Sequence, residues 1–384
     1  MQMKIDKSNW KKVKIIDVFT KKEENDKDNA KNRFDRFLKV NHMDAETLHI
    51  KRWGSQENGE ELNPTFYKIF RKGQILFPTR NPHLRRAVLA SFDGICGEKT
   101  LTLEPNEEFL IPEFIPFLFH SDSFYAHTTG AIIGSTNPHC RWRDVANYEF
   151  LLPPKEQQAQ LAELLWAMDE VVEKNTELLE KSEIMERLSL ADLFDKKKVL
   201  SNIPLGNLYK KKFKSIDPTT LFDKDVEHFS LPSFMENQAP EKVKASSIKS
   251  NKLLISDDAV LFSKLNPNRP KIWAVRNLGN EYKLGSTEWL PVRPNNDFSI
   301  NYILAFLSSQ TFIQRVMRYV QGTSNSHKRI DPKRFYLLKI PLFSKEDSED
   351  IINCLLSFQK SKVKTLQTIN SSKALQKSLI NQVF

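Results

Sequence analysis

The chain has 384 residues, a hydrophobic content of 40% and a formal net charge of +10, from 58 basic and 48 acidic residues. This hydrophobic content is enough for packed cores and excludes a disordered chain, and the length allows two to three domains of roughly 100–200 residues each. The excess of positive charge favours a polyanionic partner, usually nucleic acid, while an ordinary basic protein stays open as the alternative.

The first half of the chain predicts a module of mixed α/β structure. Residues 13–19 indicate a short strand or the start of a helix, and the charged stretch 21–32 indicates a solvated loop. Runs of β-branched and aromatic residues predict further strands, and apolar residues at helical spacing predict a helix packed on the sheet. The strands are expected within 66–80 (two strands around Gly73), 87–94 and 99–105, and the helix over 111–128.

A long helix is predicted over 154–197. The segment begins with a double proline, which suits the first turn of a helix, and continues without glycine or proline. Its apolar residues follow the spacing of a coiled-coil seam, interrupted by Asn175; they are Leu161, Leu165, Met168, Val172 and Leu179. At 1.5 Å per residue, a helix of roughly 40 residues spans about 60 Å.

The second half of the chain predicts the same order of elements. Strands are expected in 257–265, 272–277 and 289–294, and a helix over 300–320. The stretch 345–384 again lacks glycine and proline and carries an apolar stripe. We expect the two long helices to pair antiparallel as a stiff spacer between two globular modules. The alternative is that each helix packs on its own module.

Local similarity indicates two copies of one module. FPTRNPHLRRAVLASFDG in the first half aligns with FSKLNPNRPKIWAVRNLG in the second, and their Asn-Pro pairs begin at Asn81 and Asn266, 185 residues apart. A small-residue loop follows in each half, GSTNPHCRWRD from Gly134 and GTSNSHKRID from Gly322, with a proline 19 residues after the glycine. A fixed internal period predicts a tandem repeat.

The sequence lacks the signals of several functional classes. Its three cysteines (Cys96, Cys140 and Cys354) form no Cys-x-x-Cys pair, so neither a zinc site nor a disulfide framework is predicted, and a reducing, cytoplasmic location is expected. No signal peptide and no apolar run of 18 residues is recognisable, so no membrane association is expected.

Catalytic motifs are missing as well. The sequence contains no phosphate-binding loop, no Gly-x-Ser-x-Gly elbow and no His-Glu-x-x-His pair, and it lacks the Asn/Asp-Pro-Pro-Tyr/Phe tetrapeptide of an adenine methyltransferase. We therefore predict a non-catalytic protein without a cofactor or a metal. A nuclease remains an open alternative. It rests on one short pattern, Glu281-Tyr282-Lys283 with Asp257 or Asp258 upstream, which chance alone can produce.

The stretch 134–172 resembles a known family. GSTNPHCRWRDVANYEFLLPPKEQQAQLAELLWAMDEVV is similar to the conserved region of the specificity (S) subunits of type I restriction–modification enzymes, in which a small-residue loop leads to a short strand, a double proline, a Glu-Gln pair and a long helix. Here Pro153-Pro154-Lys155-Glu156-Gln157-Gln158 stands in that place. The second copy, IPLFSKEDSEDIINCLL, keeps Pro341 and the helix but not the second proline or the glutamine.

The resemblance implies an α+β fold. Two mixed α/β target-recognition modules, related by an internal repeat, would be separated by two long helices that form an antiparallel coiled coil. The implied domains are 1–153 (first target-recognition domain), 154–200 (central long helix), 201–341 (second target-recognition domain) and 342–384 (C-terminal long helix).

The resemblance also implies a function. The chain would be the DNA-recognition subunit of a type I restriction–modification complex and would read a bipartite, asymmetric site in double-stranded DNA, one half with each module. The helices would set the gap and bind two adenine methyltransferase (M) subunits, and restriction (R) subunits would join the complex. Contacts to the methyltransferase are expected at Glu156, Gln157, Leu161, Leu165 and Met168. The alternative is a coiled-coil interaction scaffold of another defence system, without DNA specificity.

Four loops, two in each half, carry the residues that DNA binding requires. Cations bind phosphates, and Arg and Asn can each form two hydrogen bonds with a guanine or an adenine. The loops of the first half supply Thr79, Arg80, Asn81, His83, Arg85, Arg86, Ser135, Thr136, His139, Arg141 and Arg143. Those of the second half supply Lys264, Asn266, Asn268, Arg269, Lys271, Thr323, Ser324, Asn325, His327, Lys328, Arg329 and Lys333. An ordinary polar surface is the alternative for each loop.

Overall fold

The computed structural model describes residues 5–209, 212–277, 279–321 and 328–384. The chain divides into two structural units. Unit 1 contains the chain up to Thr176 together with Gln367–Phe384, and unit 2 contains Glu177–Leu366. The two ends of the chain therefore belong to the same unit.

Unit 1 contains three sheets. Their strands are β1 (Lys11–Lys14), β2 (Phe19–Lys21), β3 (Glu24–Asn25), β4 (Arg36–Leu38), β5 (Gly54–Ser55), β6 (Lys68–Phe70), β7 (Ile75–Pro78), β8 (Val88–Leu89), β9 (Gly94–Cys96), β10 (Thr100–Pro105) and β11 (Glu149–Leu152). The orders are β1-β11, β2-β10-β7-β8 and β3-β6-β9-β4-β5. Strands β4 and β9 pair in parallel, so chain connections cross over within the five-stranded sheet.

The helices of unit 1 are mostly short. They are α1 (Ile15–Val18), α2 (Ala30–Arg33), α3 (Asp122–Gly130) and α4 (Trp142–Ala146), with 3-10 turns at Val40–His42, Pro82–Leu84 and Ile115–His120. Unit 1 also takes in the first part of the long helix α5 (Lys155–Lys196) and the last part of the long helix α10 (Lys345–Val383).

Two predictions for the first half need correction. The single helix expected over 111–128 is a 3-10 segment followed by α3, because Ser121 adopts an extended conformation between them and its Oγ accepts a hydrogen bond from Phe124 N at 3.2 Å. The stretch 21–32 is not only a loop, because Glu24–Asn25 pairs with β6 as an edge strand. The strands expected in 66–80 and 99–105 are confirmed as β6, β7 and β10.

The core of unit 1 lies between the four-stranded sheet and the helices. Phe77 on β7 is opposite Leu101 on β10, and Phe124 packs on Phe77 with ring centroids 5.4 Å apart. Residues from both long helices join this core, namely Leu161, Ala162 and Leu165 of α5 and Leu379, Ile380 and Val383 of α10. The apolar stripe on each long helix is therefore buried here, as amphipathic helices require.

Unit 2 has the strands β12 (Ser201–Pro204), β13 (Ser215–Ile216), β14 (Asp225–Phe229), β15 (Glu241–Lys244), β16 (Lys252–Leu254), β17 (Ala259–Ser263), β18 (Ile272–Val275), β19 (Tyr282–Gly285), β20 (Trp289–Val292), β21 (Val320–Gln321), β22 (Arg329–Ile330) and β23 (Lys339–Leu342). Its helices are α6 (Leu231–Asn237), α7 (Ile300–Ser308), α8 (Gln310–Met317) and α9 (Pro332–Leu337), with 3-10 turns at Leu205–Tyr209, Pro218–Leu221 and Ala245–Ser247. The remaining parts of α5 and α10 complete it.

The strand order of unit 2 matches that of unit 1. Its five-stranded sheet runs β13-β16-β19-β14-β15, with β14 and β19 parallel, and a smaller sheet runs β18-β17-β20. The first strand of each unit pairs with the last, β1 with β11 and β12 with β23. The helix predicted over 300–320 is likewise divided at a serine, since Ser309 Oγ accepts from Phe312 N at 3.2 Å.

Within unit 2 the two long helices run antiparallel. Glu183 of α5 pairs with Lys362 of α10 at 2.6 Å, and Lys197, just past the end of α5, pairs with Asp347 at 2.7 Å. Within unit 1, Gln376 Nε2 donates to Asp169 Oδ1 at 3.2 Å. The two long helices expected from the sequence are confirmed as α5 and α10, with 42 and 39 residues. Among the described residues, no helix has both the length and the apolar character needed to cross a membrane.

Candidate nucleic-acid interface

The two candidate loops of the first half lie side by side in unit 1. Asn81 N donates to Pro138 O at 2.9 Å, and Cys140 N donates to Thr79 O at 3.0 Å. Residues 79–86 and 133–143 are called the unit 1 loop pair below. The structure therefore brings together two segments that are more than fifty residues apart in sequence.

Unit 2 joins its loops in the same way. Asn266 N donates to Lys328 O at 2.9 Å, and Ile330 N donates to Lys264 O at 3.1 Å. Residues 264–271 and 328–333 are called the unit 2 loop pair. The bond from the Asn N–H to the facing loop is thus common to the two units.

Asn81 and Asn266 share an uncommon backbone conformation. Their φ angles are +50° and +49°, in the left-handed region that Asn tolerates better than most residues other than glycine. Each is followed by proline, whose ring fixes φ near −65°, so the chain turns sharply at the same point in both loops. The Asn-Pro pair therefore has a conformational role at the loop, whatever its side chain binds.

The unit 1 loop pair exposes several of the predicted contacts. Arg80 and His83 are exposed, and their side chains make no hydrogen bond or ion pair with any residue that the structure describes. Ser135, Thr136 and Arg143 are also exposed, whereas His139 is half-buried. Arg141 Nε lies 3.3 Å from Asp144 Oδ2. The Arg141 guanidinium is still accessible, because 42% of the side chain is exposed.

Three predicted contacts of unit 1 are instead used within the unit. Thr79 is buried, and its Oγ1 donates to Lys99 O at 2.9 Å. Arg86 Nη1 donates to Val40 O at 3.1 Å. Arg85 pairs with Glu46 and Asp122. In this conformation the Thr79 hydroxyl is used within the unit, whereas Arg85 and Arg86 are bound there and keep part of their surface exposed. Their contacts with DNA stay a prediction.

The environment of Arg85 is strongly charged. Burial acts to lower the pKa of Arg85, but its hydrogen bonds to Asp122 and Glu46 outweigh burial and leave the pKa raised. The guanidinium also lies over the Tyr125 ring, 5.0 Å from its centroid, where a cation is attracted by the ring face. The side chain is held on several sides by unit 1 itself.

The unit 2 loop pair leaves four of its predicted contacts without a partner among the described residues. Asn268, Arg269 and Lys333 are exposed, Lys271 is half-buried, and the side chains of these four residues have no partner within the described ranges. Lys264 Nζ donates to Thr287 O. Arg329 lies 3.4 Å from Glu288, with 58% of its side chain exposed, and Lys328 is half-buried. The predicted contacts Thr323, Ser324, Asn325 and His327 lie outside the described residues.

The Pro-Pro-Lys-Glu-Gln-Gln segment anchors the start of α5 to unit 1. Gln158 is buried: its Oε1 accepts from Ile111 N at 2.8 Å, and its Nε2 donates to Phe109 O at 3.0 Å and Pro153 O at 2.9 Å. Gln157 Oε1 accepts from Trp10 Nε1 at 2.7 Å. Gln158 therefore satisfies backbone groups that burial would otherwise leave unpaired, and its anchoring role was not predicted from the sequence.

The predicted partner contacts on α5 divide into two groups. Leu161 and Leu165 are buried in the core of unit 1, so their side chains are not available to another protein, and the prediction for them needs correction. Glu156 is exposed, Gln157 is bound to Trp10, and Met168 is half-buried.

The nuclease pattern is not assembled into a site. Lys283 is buried, with Nζ 3.3 Å from Glu227, whereas Glu281 lies at the surface, 3.5 Å from Lys242. Asp257 pairs with Arg293, and Asp258 accepts from Asn277 N at 2.8 Å. Within the described part of the chain, no cluster of three His, Cys, Asp or Glu residues could hold a metal ion.

A contact that the sequence does not signal joins the unit 1 connector to the long helices. This connector, residues 39–53, links β4 to β5. His49 Nε2 lies 2.5 Å from Asp169 Oδ2 on α5, and Lys51 pairs with Glu173 at 2.9 Å. The hydrogen bond to Asp169 raises the pKa of His49, against the opposing effect of burial.

The unit 2 connector, residues 230–240 between β14 and β15, borders a cleft. The cleft has a volume of about 670 Å³ and is lined partly by Met235, Arg269, Lys271 and Val363. Met235 is 71% exposed and Val363 is 55% exposed. Two cations of the unit 2 loop pair, Arg269 and Lys271, therefore border this cleft beside exposed apolar side chains.

Comparison with known proteins places this geometry in a family. Residues 7–183 match the family model described as "Type I restriction modification DNA specificity domain". These residues belong to the type I DNA specificity domain family. The resemblance based on the Pro-Pro-Lys-Glu-Gln-Gln segment is thereby confirmed for these residues.

Individual relatives are distant. The HindI specificity subunit of a type I restriction enzyme from Haemophilus influenzae is 25% identical over 126 residues, which cover 32% of this chain and 28% of that relative. A chain from a structural study of complex assembly and conformational transition of a type I R-M system is 20% identical, with a TM-score of 0.53 over 97% of both chains. The S subunit of a type I system from M. genitalium is 14% identical, with a TM-score of 0.50 over 100% of this chain and 98% of that one. At such identities the two structures indicate a shared fold.

Proposed function

We propose that this protein is the sequence-specific DNA-recognition subunit of a type I restriction–modification complex. The observation that carries the proposal is the pair of equivalent basic loop pairs, each built around a left-handed Asn-Pro turn, in two units with one strand order. The specificity-domain match over 7–183 supports the first of these units directly. Phosphate binding requires accessible cations at defined positions, and both loop pairs supply them.

Each unit reads one half of a bipartite site in double-stranded DNA. The exposed residues differ between the two loop pairs: Arg80 and His83 in unit 1, and Asn268 and Arg269 in unit 2. Because base recognition depends on the donor and acceptor pattern of each side chain, the two half-sites should differ in sequence. The common strand order supports an internal repeat as the origin of this arrangement.

The two long helices form an antiparallel coiled coil that sets the gap between the half-sites. The Glu183–Lys362 and Lys197–Asp347 pairs of unit 2 support this pairing, as does the Gln376–Asp169 hydrogen bond of unit 1. A helix as long as α5 spans about 60 Å at 1.5 Å per residue, which is long enough for a spacer.

Two methyltransferase subunits bind the outer faces of these helices, and restriction subunits join the complex through them. In unit 1 the exposed α5 residues Glu156, Leu164 and Val171 are better placed for such contacts than the buried Leu161 and Leu165. Exposed apolar side chains of this kind are typical of a protein-binding face when they cluster. This protein itself contributes recognition and not chemistry.

The first experiment compares base modification across host DNA with the gene intact and deleted. We expect the deletion to abolish adenine methylation at a two-part motif with an undefined central gap, which would also identify both half-sites. Complementation with the intact gene is the matched control. An unchanged methylation pattern, with the companion methyltransferase expressed and active, would reject the proposal in favour of an interaction scaffold without DNA specificity.

A further inference from the structure

Arg85 lies in the unit 1 loop pair, but its side chain is directed into a charged cluster. Its Nη1 lies 3.1 Å from Glu46 Oε1, and its Nη2 pairs with Asp122. The Arg85 backbone is held as well, because Glu46 N donates to Arg85 O at 2.9 Å. Both the side chain and the backbone of this loop residue are therefore anchored to segments outside the loop.

The same two carboxylates also bind the last turns of α10. Lys377 Nζ lies 3.3 Å from Glu46 Oε1 and 3.6 Å from Asp122 Oδ1. Asn381 bonds Asp122 twice: its Nδ2 donates to Asp122 Oδ2 at 2.6 Å, and its Oδ1 accepts from Asp122 N at 2.8 Å. The C-terminal helix is thus connected to the recognition loop through Glu46 and Asp122.

The cluster is balanced in charge. Two cations, Arg85 and Lys377, share two carboxylates, and Asn381 adds neutral hydrogen bonds. Moving Arg85 to a DNA phosphate would leave Asp122 and Glu46 with only Lys377 as a cation beside a polyanion, which is unfavourable because like charges repel. Only 23% of the Arg85 side chain is exposed, so such a movement would also disrupt packing.

We propose that Arg85 is a positioning residue for DNA recognition and not a DNA contact. Through Asp122 and Glu46 it fixes the unit 1 loop pair against Lys377 and Asn381 of the C-terminal helix, so that reading of one half-site depends on the last turns of the chain. This inference rests on the proposed function and specifies which residues of unit 1 carry it. Arg80 and His83 are left as exposed polar side chains of the same loop.

The two alternative roles of Arg85 predict opposite effects on DNA binding when its partner Asp122 is substituted. If Arg85 bound DNA, Asp122 would compete for it, and Asp122→Asn would strengthen DNA binding or leave it unchanged. If Arg85 positions the loop, Asp122→Asn would weaken binding just as Arg85→Gln does. The salt dependence separates the roles too, since loss of one phosphate contact lowers the slope of log K against log salt by about 0.9, whereas loss of a positioning contact leaves that slope unchanged.

The test uses the full chain with its companion methyltransferase and a labelled duplex that carries the methylation motif. A duplex with the unit 1 half-site scrambled reports non-specific binding. The variants are Arg85→Gln, Asp122→Asn, the double variant and Lys377→Gln, with Arg80→Gln as the matched exposed control. Affinity is measured at several salt concentrations for each variant.

We expect Arg85→Gln and Asp122→Asn each to weaken binding to the motif duplex about tenfold, and the double variant to be little worse, as for residues within one network. Binding to the scrambled duplex and the salt slope should stay near wild type. Lys377→Gln should weaken motif binding in the same direction by a smaller factor, and Arg80→Gln should lower the slope. Circular dichroism would verify folding, and Arg85→Lys, which keeps one ion pair, should restore part of the affinity if Arg85→Gln folds poorly.

Tighter or unchanged binding by Asp122→Asn, together with a lower salt slope for Arg85→Gln, would overturn the positioning role and make Arg85 a DNA contact. A wild-type complex that does not discriminate the motif duplex from the scrambled one would overturn the proposed function itself. The two failures are distinguishable because the second is seen without any variant.

Discussion

In each unit a connector joins two equivalent strands of the five-stranded sheet, but the surfaces that the two connectors form beside the long helices differ. Residues 39–53 of unit 1 extend to the long helices and contact them through His49 and Lys51. Residues 230–240 of unit 2 border a cleft of about 670 Å³, which Met235 and Val363 help to line. Equal strand order therefore does not produce equal surfaces, because the two connectors differ in the residues that they place beside the long helices.

The cations of the two loop pairs also differ in their partners. In unit 1, Arg85 and Arg86 are bound within the unit. In unit 2, the side chains of Arg269 and Lys271 have no partner among the described residues. The two loop pairs thus differ in which of their cations are bound within their own unit, although both keep exposed cations.

The largest expected effect concerns burial of the long helices. Leu165→Ala removes a fully buried side chain from the core of unit 1 and should lower the free energy of unfolding by about 2–5 kcal/mol. Val363→Ala, at the open cleft of unit 2, should change it by less than about 0.5 kcal/mol. Urea denaturation followed by far-UV circular dichroism measures both. Similar losses for the two variants would contradict the contrast between a covered and an uncovered helix.

A smaller effect is expected for the connector contact itself. Asp169 is buried and accepts from both His49 and Gln376, so Asp169→Ala leaves two partners unpaired and should cost about 1–3 kcal/mol. Glu183→Gln, which breaks the partly exposed Glu183–Lys362 pair in unit 2, should cost about 1 kcal/mol or less. Amide hydrogen exchange is measured separately for the unit 1 part and the unit 2 part of α5, so that the effect of each variant is compared in its own unit. Equal protection in both variants would argue against the tighter closure of unit 1.

The loop pairs can be compared by matched substitutions of exposed arginines. Arg80→Gln in unit 1 and Arg269→Gln in unit 2 should each lower the salt slope of duplex binding by about 0.9, if each arginine binds one phosphate. Each variant should also affect only its own half-site in a competition assay with half-scrambled duplexes. Loss at both half-sites from either single substitution would contradict independent reading by the two units.

The smallest expected effect is on pH dependence, and it has opposite signs in the two units. The pKa of His49 is raised by Asp169, with Glu173, Lys51 and Gln376 also nearby. Its contribution to stability is therefore fully present below the ordinary pKa of 6.5 and is lost as pH rises through the higher folded-state pKa. The wild-type advantage in Tm over His49→Gln should shrink as pH rises above 6.5.

His228 of unit 2 behaves in the opposite sense. Burial, assisted by Lys252 and opposed by Glu241, lowers the pKa of His228. The unfolded state then binds more protons than the folded state between the two pKa values, so stability rises with pH up to about 6.5. The Tm of wild type relative to His228→Gln should increase over that range, and parallel pH profiles for the two variants would refute the predicted difference.

Features encoded over many residues were predictable from the sequence. The long helices follow from some forty positions without glycine or proline, and β10 follows from a run of β-prone residues. The four loops were recognisable because small, basic and Asn residues cluster at matching places in both halves. Strands of two or three residues, such as β4 and β5, were not predicted because they carry too little periodicity to be distinguished from loops.

Single-residue outcomes were less predictable. Arg85 looked like a DNA contact because its partners Glu46 and Asp122 lie 39 and 37 residues away in sequence, and only the folded chain brings them together. Thr79 ends a buried strand, and one residue decides whether its side chain faces inward or outward. Ser121 and Ser309 divide apolar stretches that looked continuous, because a serine can cap a new helix as readily as it can lie within one.

The use of Leu379, Ile380 and Val383 in the core of unit 1 has a consequence for biosynthesis. Domains generally fold as units during translation, the N-terminal one first. Here unit 2 is a continuous segment whose residues have all been synthesised once Leu366 is added, whereas the core of unit 1 cannot close until Val383 has left the ribosome. Of the two units, unit 1 is therefore completed second, although most of its residues are synthesised first.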